Sequence, residues 1–340
     1  MDLTALNQVA EKMVTPGKGI LAADESTGTI KKRFDTIGLE STEENRRDYR
    51  EMLFRTEAAM REHISGVILY EETLYQNCAA GSPLAQIIEA SGAIPGIKVD
   101  KGTKPLPGFP GELITEGLDG LGERLDRDYA QGARFAKWRA VIDVAEGIPT
   151  WGAIKANAHA LARYAAICQA HQIVPIVEPE VLMDGAHDIH RCEEVTRLVL
   201  NTVFEELFEQ RVALEGMVLK PNMVICGKKS GGANAVDQVA ARTVAVLKDC
   251  VPASVPGIAF LSGGQSDEEA TAHLDAMNKI GGLPWKLTFS YGRALQAAPL
   301  KAWGGKRENV AAGQRAFAHR AKMNALASLG QWAGALEKAA

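Results

Sequence analysis

The sequence lacks a long apolar run, and its charges nearly balance. Lysine and arginine total 38, aspartate and glutamate total 42, and the formal net charge is −4. This balance argues against nucleic-acid binding, although it leaves room for a local basic pocket that takes small phosphates. No apolar stretch approaches the ~20 residues that span a bilayer. The residues after Met1 also lack the basic and apolar regions of a signal peptide. We therefore expect a cytoplasmic protein with no membrane partner.

Cysteine is scarce as well. The five cysteines are widely spaced and none belongs to a C-x-x-C pair, which favours reduced thiols over a disulfide framework or a zinc site. The one cluster of histidine and aspartate opens a predicted helix, where the helix dipole favours aspartate, and it consists of Asp184, His187, Asp188 and His190. We therefore predict neither a metal nor a cofactor.

Eight short apolar runs recur along the chain, and each ends in charged, hydroxyl or glycine residues. We predict a strand for each run, at 19–24, 66–71, 95–100, 135–139, 173–180, 217–223, 257–264 and 287–293. Segments with helical periodicity lie between most of them, at 43–61, 118–131, 152–170, 188–209, 233–248 and 267–279. A further helix is predicted over 306–329, and residues 330–340 are expected to be loosely held.

Strands that alternate with helices predict a parallel sheet, and eight such units predict its closure into a (β/α)8 or TIM barrel. We expect one α/β domain over residues 1–340. The alternative is an open doubly wound sheet, which would want a glycine-rich phosphate loop after an early strand. The glycine pair Gly17 and Gly19 instead precedes the first strand.

Charged residues occur two positions apart at several strand ends, so that each pair shares a face. The pairs are Lys98 with Asp100, Lys137 with Arg139, Glu178 with Glu180, and Lys220 with Asn222. The carboxyl ends of barrel strands meet at one mouth, where catalytic groups collect. We expect lysines there opposite carboxylates, including Asp24 from the first strand. The structural alternative is a salt-bridged layer, but barrel interiors normally hold branched apolar residues.

Lys220 ends an apolar run and has no acid within four positions on either side. Burial disfavours an ammonium, and a second ammonium nearby, such as that of Lys137, acts in the same direction. A neutral amine attacks a ketone and forms an iminium, which is an electron sink for carbon–carbon cleavage. Glu178 on the adjacent strand is suitably placed to move protons. The alternative is a lysine whose head group reaches water.

Two loops have the composition of phosphate sites. Glycines let backbone N–H groups approach an anion, and the loops after strands 7 and 8 of this architecture often bind phosphate. The first candidate site comprises Ser262, Gly263, Gly264, Ser290, Gly292 and Arg293. The second follows the first strand, with Ser26, Thr29 and Arg33. Its alternative interpretation is a helix N-cap formed by Ser26 or Thr27.

Seven motifs, read together, are highly specific. They are GKGILAADEST at 17–27, GIKVDKG at 96–102, FAKWR at 135–139, VPIVEPE at 174–180, LKPNM at 219–223, FLSGGQS at 260–266 and FSYGRAL at 289–295. With these motifs the chain resembles class I fructose-bisphosphate aldolases over nearly its whole length. The resemblance implies a β/α barrel that reversibly cleaves fructose 1,6-bisphosphate to dihydroxyacetone phosphate and glyceraldehyde 3-phosphate, without a metal. It also implies a homotetramer and a glycolytic or gluconeogenic role.

The resemblance assigns roles by motif. Lys220 is similar to the Schiff-base lysine, Glu178 to the general acid/base with Glu180 beside it, and Asp24 with Lys137 to the pair that assists cleavage at the C4 hydroxyl. The C1-phosphate site matches Ser262, Gly263, Gly292 and Arg293, and the region around the C6 phosphate matches Ser26, Thr29, Arg33 and Lys98. Strand-end position adds Arg139, Gly264 and Ser290 as substrate contacts.

Two other classes of function stay open. Glu178, Glu180 and Asp24 also fit the carboxylates of a glycosidase, although such an enzyme needs no lysines at the mouth. A binding or scaffold protein on the same fold is the other class. A barrel aldolase that prefers fructose 1-phosphate or sedoheptulose bisphosphate is a third alternative.

One departure from the resemblance concerns substrate preference. Animal members have a tail that ends in tyrosine, reaches the active site and favours the bisphosphate, whereas no tyrosine follows Tyr291 here. We expect a weaker preference for fructose 1,6-bisphosphate over fructose 1-phosphate than tailed members show. The ratio of kcat/KM for the two sugars, measured beside a tailed enzyme, checks this expectation, and equal ratios would contradict it.

Overall fold

Eight parallel strands close into a barrel in the computed structural model, which describes residues 1–338. The barrel strands are β1 (Gly19–Ala23), β2 (Ile64–Leu69), β3 (Ile94–Lys98), β6 (Phe135–Ile142), β7 (Val174–Val181), β8 (Val218–Leu219), β9 (Gly257–Phe260) and β10 (Lys286–Tyr291). They neighbour one another in chain order, and β10 pairs with β1 to complete the circle. The predicted α/β barrel is therefore confirmed. A hairpin that was not predicted, β4 (Thr103–Pro105) with β5 (Leu113–Thr115), lies outside the barrel.

Helices surround the barrel between its strands. They are α1 (Leu3–Met13), α2 (Thr27–Asp35), α3 (Glu43–Phe54), α4 (Glu57–His63), α5 (Glu71–Leu74), α6 (Leu84–Ala90), α7 (Leu121–Ala130), α8 (Trp151–Ala170), α9 (Ile189–Glu209), α10 (Val236–Cys250), α11 (Asp267–Ile280), α12 (Arg293–Trp303) and α13 (Val310–Ser328). None of these described helices is long and apolar enough to cross a membrane.

The predicted helix over 43–61 was wrong in one respect, because the structure divides it into α3 and α4. The chain leaves the helical conformation at Thr56, where ψ is 77°. Its hydroxyl turns back to the carbonyl of Met52 at 3.1 Å. The apolar periodicity continues across this break, so that periodicity alone does not reveal it.

The amino-terminal end of the barrel is closed by apolar packing. Leu6, Ala10 and Met13 on α1 are buried in the same cluster as the inward side chains of Ile20 and Phe135. Close approach of α1 requires glycine at the start of β9: a Cβ at Gly257 would lie 2.7 Å from Val14. The interior of the barrel is thus apolar at this end, as barrel interiors normally are.

Residues 330–338, which we call the C-terminal segment, run along α11 and α13. The backbone N–H of Trp332 donates to Asp275 Oδ1 at 2.9 Å, and the Glu337 carboxylate accepts from Arg320 Nη1 at 2.6 and 2.7 Å. These contacts argue against a loosely held end up to Lys338. Ala339 and Ala340, which the same expectation covered, lie outside the described residues.

Gly96 should be essential to the apolar half of the barrel. A Cβ there would lie 2.3 Å from the fully buried ring of Phe135. We expect Gly96→Ala to lower the free energy of unfolding by about 1–3 kcal/mol, as overpacking of a core does. Gly28→Ala in α2 is the matched control, because no atom lies within 4 Å of its Cβ. Urea unfolding measures both variants, and equal midpoints would contradict the prediction.

Candidate active site

A cavity of about 530 Å³ opens at the carboxyl ends of the barrel strands. Its wall carries most of the predicted site residues: Asp24, Ser26, Thr29, Arg33, Lys98, Lys137, Arg139, Glu178, Glu180, Lys220, Ser262, Gly263, Ser290 and Gly292. All eight barrel strands contribute to this wall through residues at or just after their carboxyl ends. The structure therefore brings together residues that are widely separated in the sequence.

Lys220 lies at the centre of a group of buried charges. Its backbone N–H donates to the carbonyl of Val177 at 2.8 Å, which fixes the end of β8 against β7. Its Nζ lies 3.1 Å from Glu178 Oε1, and both side chains are at most 5 % exposed. The head group therefore does not extend to bulk water, and it has a carboxylate partner from the neighbouring strand. The prediction that its amine is neutral stays a prediction.

Lys137 lies among three carboxylates. Its Nζ is 2.7 Å from Asp24 Oδ2, 3.5 Å from Glu178 Oε2 and 3.9 Å from Asp100 Oδ2. Burial alone would lower the pKa of Lys137, but the attraction of these carboxylates outweighs burial and raises it. Lys137 is therefore a charged ammonium at neutral pH.

Asp24 is the complementary anion. Burial alone would raise the pKa of its carboxyl, but the ammonium of Lys137, with Lys220 and Lys98 acting in the same direction, outweighs burial and lowers that pKa to about 2. Asp24 is therefore ionised throughout the neutral range, next to a charged lysine. A carboxylate held in this way can accept a proton from a substrate hydroxyl only when the developing alkoxide is itself stabilised, and Lys137 lies where it can do so.

Glu178 bridges the two lysines. Oε1 faces Lys220 and Oε2 faces Lys137, while Oε2 has no hydrogen-bond partner within residues 1–338. A carboxylate between two amines can exchange protons with either of them or with a group bound between them. Glu180, two residues later on β7, is paired with Arg139 at the rim.

The loop after β9 and the end of β10 form one end of the cavity. Ser262 and Ser290 are buried, and Ser290 Oγ has no hydrogen-bond partner among the described residues. Glycine is required at Gly263, because a Cβ there would lie 3.0 Å from Leu261 and 3.1 Å from Glu180 Oε1. Small side chains and free hydroxyl groups therefore face this end.

A second group of lining residues comes from the start of α2 and from β3. Ser26 accepts from the backbone N–H of Thr29 at 3.4 Å, and the two hydroxyl oxygens are 3.1 Å apart. The N-cap interpretation is thus correct for Ser26, yet both residues also line the cavity. Arg33 is paired with the buried carboxylate of Glu25, and Lys98 Nζ lies 2.9 Å from Asp100 Oδ1.

Two predicted site residues do not line the cavity. Arg293 points to the loop after β9, where Nη1 lies 3.2 Å from Asp267 Oδ1 and Nη2 3.3 Å from the carbonyl of Ser262. Gly264 turns away behind the loop: its φ is +77°, and a Cβ would lie 2.2 Å from Met183.

Alternation along a strand predicted that Asn222 shares a face with Lys220. This prediction was wrong, because β8 ends at Leu219. The side chain of Asn222 instead donates to Thr196 on α9 at 3.1 Å. The histidine and aspartate cluster contains the expected cap, since Asp188 accepts from the backbone N–H of Arg191 at 2.8 Å at the start of α9.

Several lining residues were not predicted from the sequence as site residues. They follow β1, β2 and β3 and comprise Glu25, Tyr70, Glu71, Lys101, Gly102 and Thr103. Lys101 Nζ and Glu71 Oε2 are 3.0 Å apart and join two of these loops at the rim. Their position directly after a strand end was the available signal.

Known proteins resemble this chain over nearly its whole length. The family model described as "Glycolytic: Fructose-bisphosphate aldolase class-I" matches residues 5–340. The chain belongs to the class I fructose-bisphosphate aldolases. A probable class 1 aldolase of Xanthomonas axonopodis pv. citri is 55% identical, over 98% of this chain and 100% of the relative. Cytosolic fructose-bisphosphate aldolase 4 of Arabidopsis thaliana is 56% identical, over 94% of this chain and 81% of that protein.

A solved aldolase structure shows the same fold. Plasmodium falciparum fructose-bisphosphate aldolase, in a complex with TRAP and a small-molecule inhibitor, aligns with a TM-score of 0.95 and 50% identity, over 98% of this chain and 96% of that one. The predicted family is therefore confirmed, and the enzyme class with it. This aldolase cleaves fructose 1,6-bisphosphate, and its buried lysine fits the Schiff-base chemistry of class I.

Asp24 should make the stability of this aldolase depend on acid pH. A carboxyl whose pKa is lower in the folded state than in the unfolded state stabilises the fold above its unfolded pKa. That contribution, about 2 kcal/mol for Asp24, is lost as the pH falls from about 4 towards 2. We expect the free energy of unfolding to fall less steeply below pH 4 in Asp24→Asn than in the unaltered protein. Urea titrations between pH 7 and 3 measure it, and parallel curves would contradict the prediction.

Proposed function

We propose that Lys220 forms the Schiff base in the cleavage of fructose 1,6-bisphosphate by this aldolase. The observation that carries the proposal is a buried amine, 3.1 Å from a carboxylate, in a cavity whose wall also carries hydroxyl and cationic groups. Nζ attacks the ketone carbon C2, and loss of water gives an iminium. Glu178, which contacts both lysines, moves a proton from the nitrogen to the carbinolamine oxygen, and a further proton taken up from solvent lets that hydroxyl leave as water.

Asp24 and Lys137 then act on the C4 hydroxyl. As its proton leaves for the Asp24 carboxylate, the C3–C4 bond breaks and its electron pair moves into the iminium to give an enamine. Glyceraldehyde 3-phosphate is released at this step. Lys137 stays charged because of its three carboxylate neighbours, and it stabilises the developing negative charge on the C4 oxygen. The proton that Asp24 took up is then passed to C3 of the enamine, and hydrolysis of the resulting iminium releases dihydroxyacetone phosphate and regenerates Lys220 and the Asp24 carboxylate.

Two groups of lining residues would hold the two phosphates. Ser262, Gly263, Ser290 and Gly292 are proposed to bind the C1 phosphate, with Gly264 and Arg293 supporting the same loop from outside the cavity. The C6 phosphate would bind among Ser26, Thr29, Arg33 and Lys98, and Arg139 and Glu180 would contact the substrate elsewhere on the wall.

We further propose a cytoplasmic homotetramer. The names of the Arabidopsis relative and of a pea relative, "cytoplasmic isozyme 2", support the location. Apolar side chains exposed on two long helices support self-association, since Trp151 on α8 is 56% exposed and Phe208 on α9 is 83% exposed.

Reductive trapping tests the mechanism. We expect borohydride, added with dihydroxyacetone phosphate, to inactivate the enzyme and to add mass to the peptide that contains Lys220, because the iminium is reduced to a stable amine. Activity should survive EDTA. Lys220→Arg is the matched control, since it keeps a long basic side chain but forms no iminium. An unmodified Lys220 peptide after trapping, or inactivation by EDTA, would overturn the mechanism.

A further inference from the structure

The C-terminal segment is attached to the outside of the barrel at both of its ends. Near its start, the backbone N–H of Trp332 donates to Asp275 Oδ1 at 2.9 Å, and Lys279 Nζ donates to the carbonyl of Trp332 at 3.2 Å. Near its other end, Glu337 lies against α13. Arg320, the partner of Glu337, contacts the first turn of α11, which is the end of that helix nearer the cavity. Glu337 therefore lies near this end of α11.

Glu337 is the acceptor on which the segment converges. Its carboxylate receives two hydrogen bonds from Arg320 Nη1, one at 3.0 Å from the indole Nε1 of Trp332, and a contact at 3.0 Å from His319 Nε2. Burial alone would raise the pKa of Glu337, but these partners outweigh burial and lower it. Glu337 is therefore an ionised carboxylate at neutral pH.

Arg320 connects Glu337 to the start of α11. Its side chain is 5% exposed, and its Nη2 donates to the carbonyl of Asp267 at 3.1 Å and to Thr271 Oγ1 at 2.6 Å. A buried guanidinium is costly unless a carboxylate accompanies it. Glu337 forms the one salt bridge of Arg320 within residues 1–338.

The start of α11 is in turn joined to the wall of the cavity. Asp267 Oδ1 lies 3.2 Å from Arg293 Nη1, and Arg293 Nη2 donates to the carbonyls of Ser262 and Gln265. Ser262 lines the cavity. An unbroken series of polar contacts therefore runs from Glu337 through Arg320, Asp267 and Arg293 to the Ser262 loop.

We propose that Glu337 and Arg320 are positioning residues for the phosphate end of the cavity. By holding the first turn of α11, they fix Asp267 and hence Arg293 against the loop that presents Ser262 to the substrate. This inference rests on the proposed function, because it takes the Ser262 loop as the C1-phosphate site. Neither residue lines the cavity, so that both act through the loop and not on the substrate.

The two contributions of this pair, to stability and to positioning, are separable by mutation. Removal of Glu337 alone leaves the buried guanidinium of Arg320 without its carboxylate, which destabilises the fold and loosens α11 together. Removal of both charges leaves no unpaired ion, and such replacements are often neutral for stability. The contact of Arg320 with Asp267 is nevertheless lost in the double variant.

The experiment compares Glu337→Gln with Arg320→Met/Glu337→Gln. In Glu337→Gln we expect a lower Tm and KM values raised roughly 3- to 10-fold for fructose 1,6-bisphosphate and fructose 1-phosphate alike, since both carry the C1 phosphate, with kcat changed less than about twofold. In the double variant, Tm should return towards that of the unaltered protein while KM stays raised. Glu308→Gln, an exposed acid on the 3-10 turn before α13, is the matched control and should change neither quantity.

Two results would overturn the proposal. One is a KM that returns together with Tm in the double variant, since the pair would then contribute stability alone. The other is a KM that does not change in either variant. Borohydride trapping of the unaltered protein separates these results from a failure of the proposed function: absence of a Lys220 adduct there would reject the mechanism, whatever the variants do.

Discussion

The carboxylate of Glu178, held between the side-chain nitrogens of Lys220 and Lys137, is the interaction on which the barrel mouth depends. Lys137 also binds Asp24, so that four side chains from β6, β7, and the ends of β1 and β8 form one buried group of charges. Taking any one of these charges from water is costly, and each is tolerated because its partners are within about 3–4 Å. The geometry of the candidate site and the stability of the mouth therefore rest on the same contacts, and loss of one member removes a partner from each of its neighbours.

The barrel supplies the positions of these groups through its register. On β6 and β7, residues Arg139 and Glu178 are directly paired, as are Lys137 and Ile176. This offset brings the side chains of Lys137 and Glu178 to neighbouring heights inside the mouth. Below them the interior is filled by Ile20, Phe135 and other apolar side chains. The transition from apolar to charged thus occurs within a few residues along each strand, which is what a rigid, preorganised site requires.

Much of this arrangement could be predicted from the sequence. The eight apolar runs specified the barrel, because buried parallel strands read as continuous apolar segments. Charged residues at the ends of these runs predicted the mouth, because the carboxyl ends of barrel strands meet on one side. The contact of Lys220 with Glu178 is between strands and is invisible to local composition, and the direction of Arg293 depends on the side chain of Asp267, which lies 26 residues earlier. Likewise, residues 330–338 look weakly held because their local pattern is poor in large apolar side chains, whereas the partners of Glu337 lie on α13.

Helix α1 closes the amino-terminal end of the barrel, and this closure affects the order of events in turnover. Since Leu6, Ala10 and Met13 fill the amino-terminal end, substrate and products reach the cavity through the mouth in the described part of the molecule. The sugar enters there, the aldehyde leaves there, and the water that hydrolyses the remaining covalent adduct arrives by the same route. In the mechanism proposed above, a single entrance therefore orders product release. The adduct on Lys220 would be shielded from hydrolysis while the aldehyde still occupies the entrance, so that the aldehyde would leave before the second product is released.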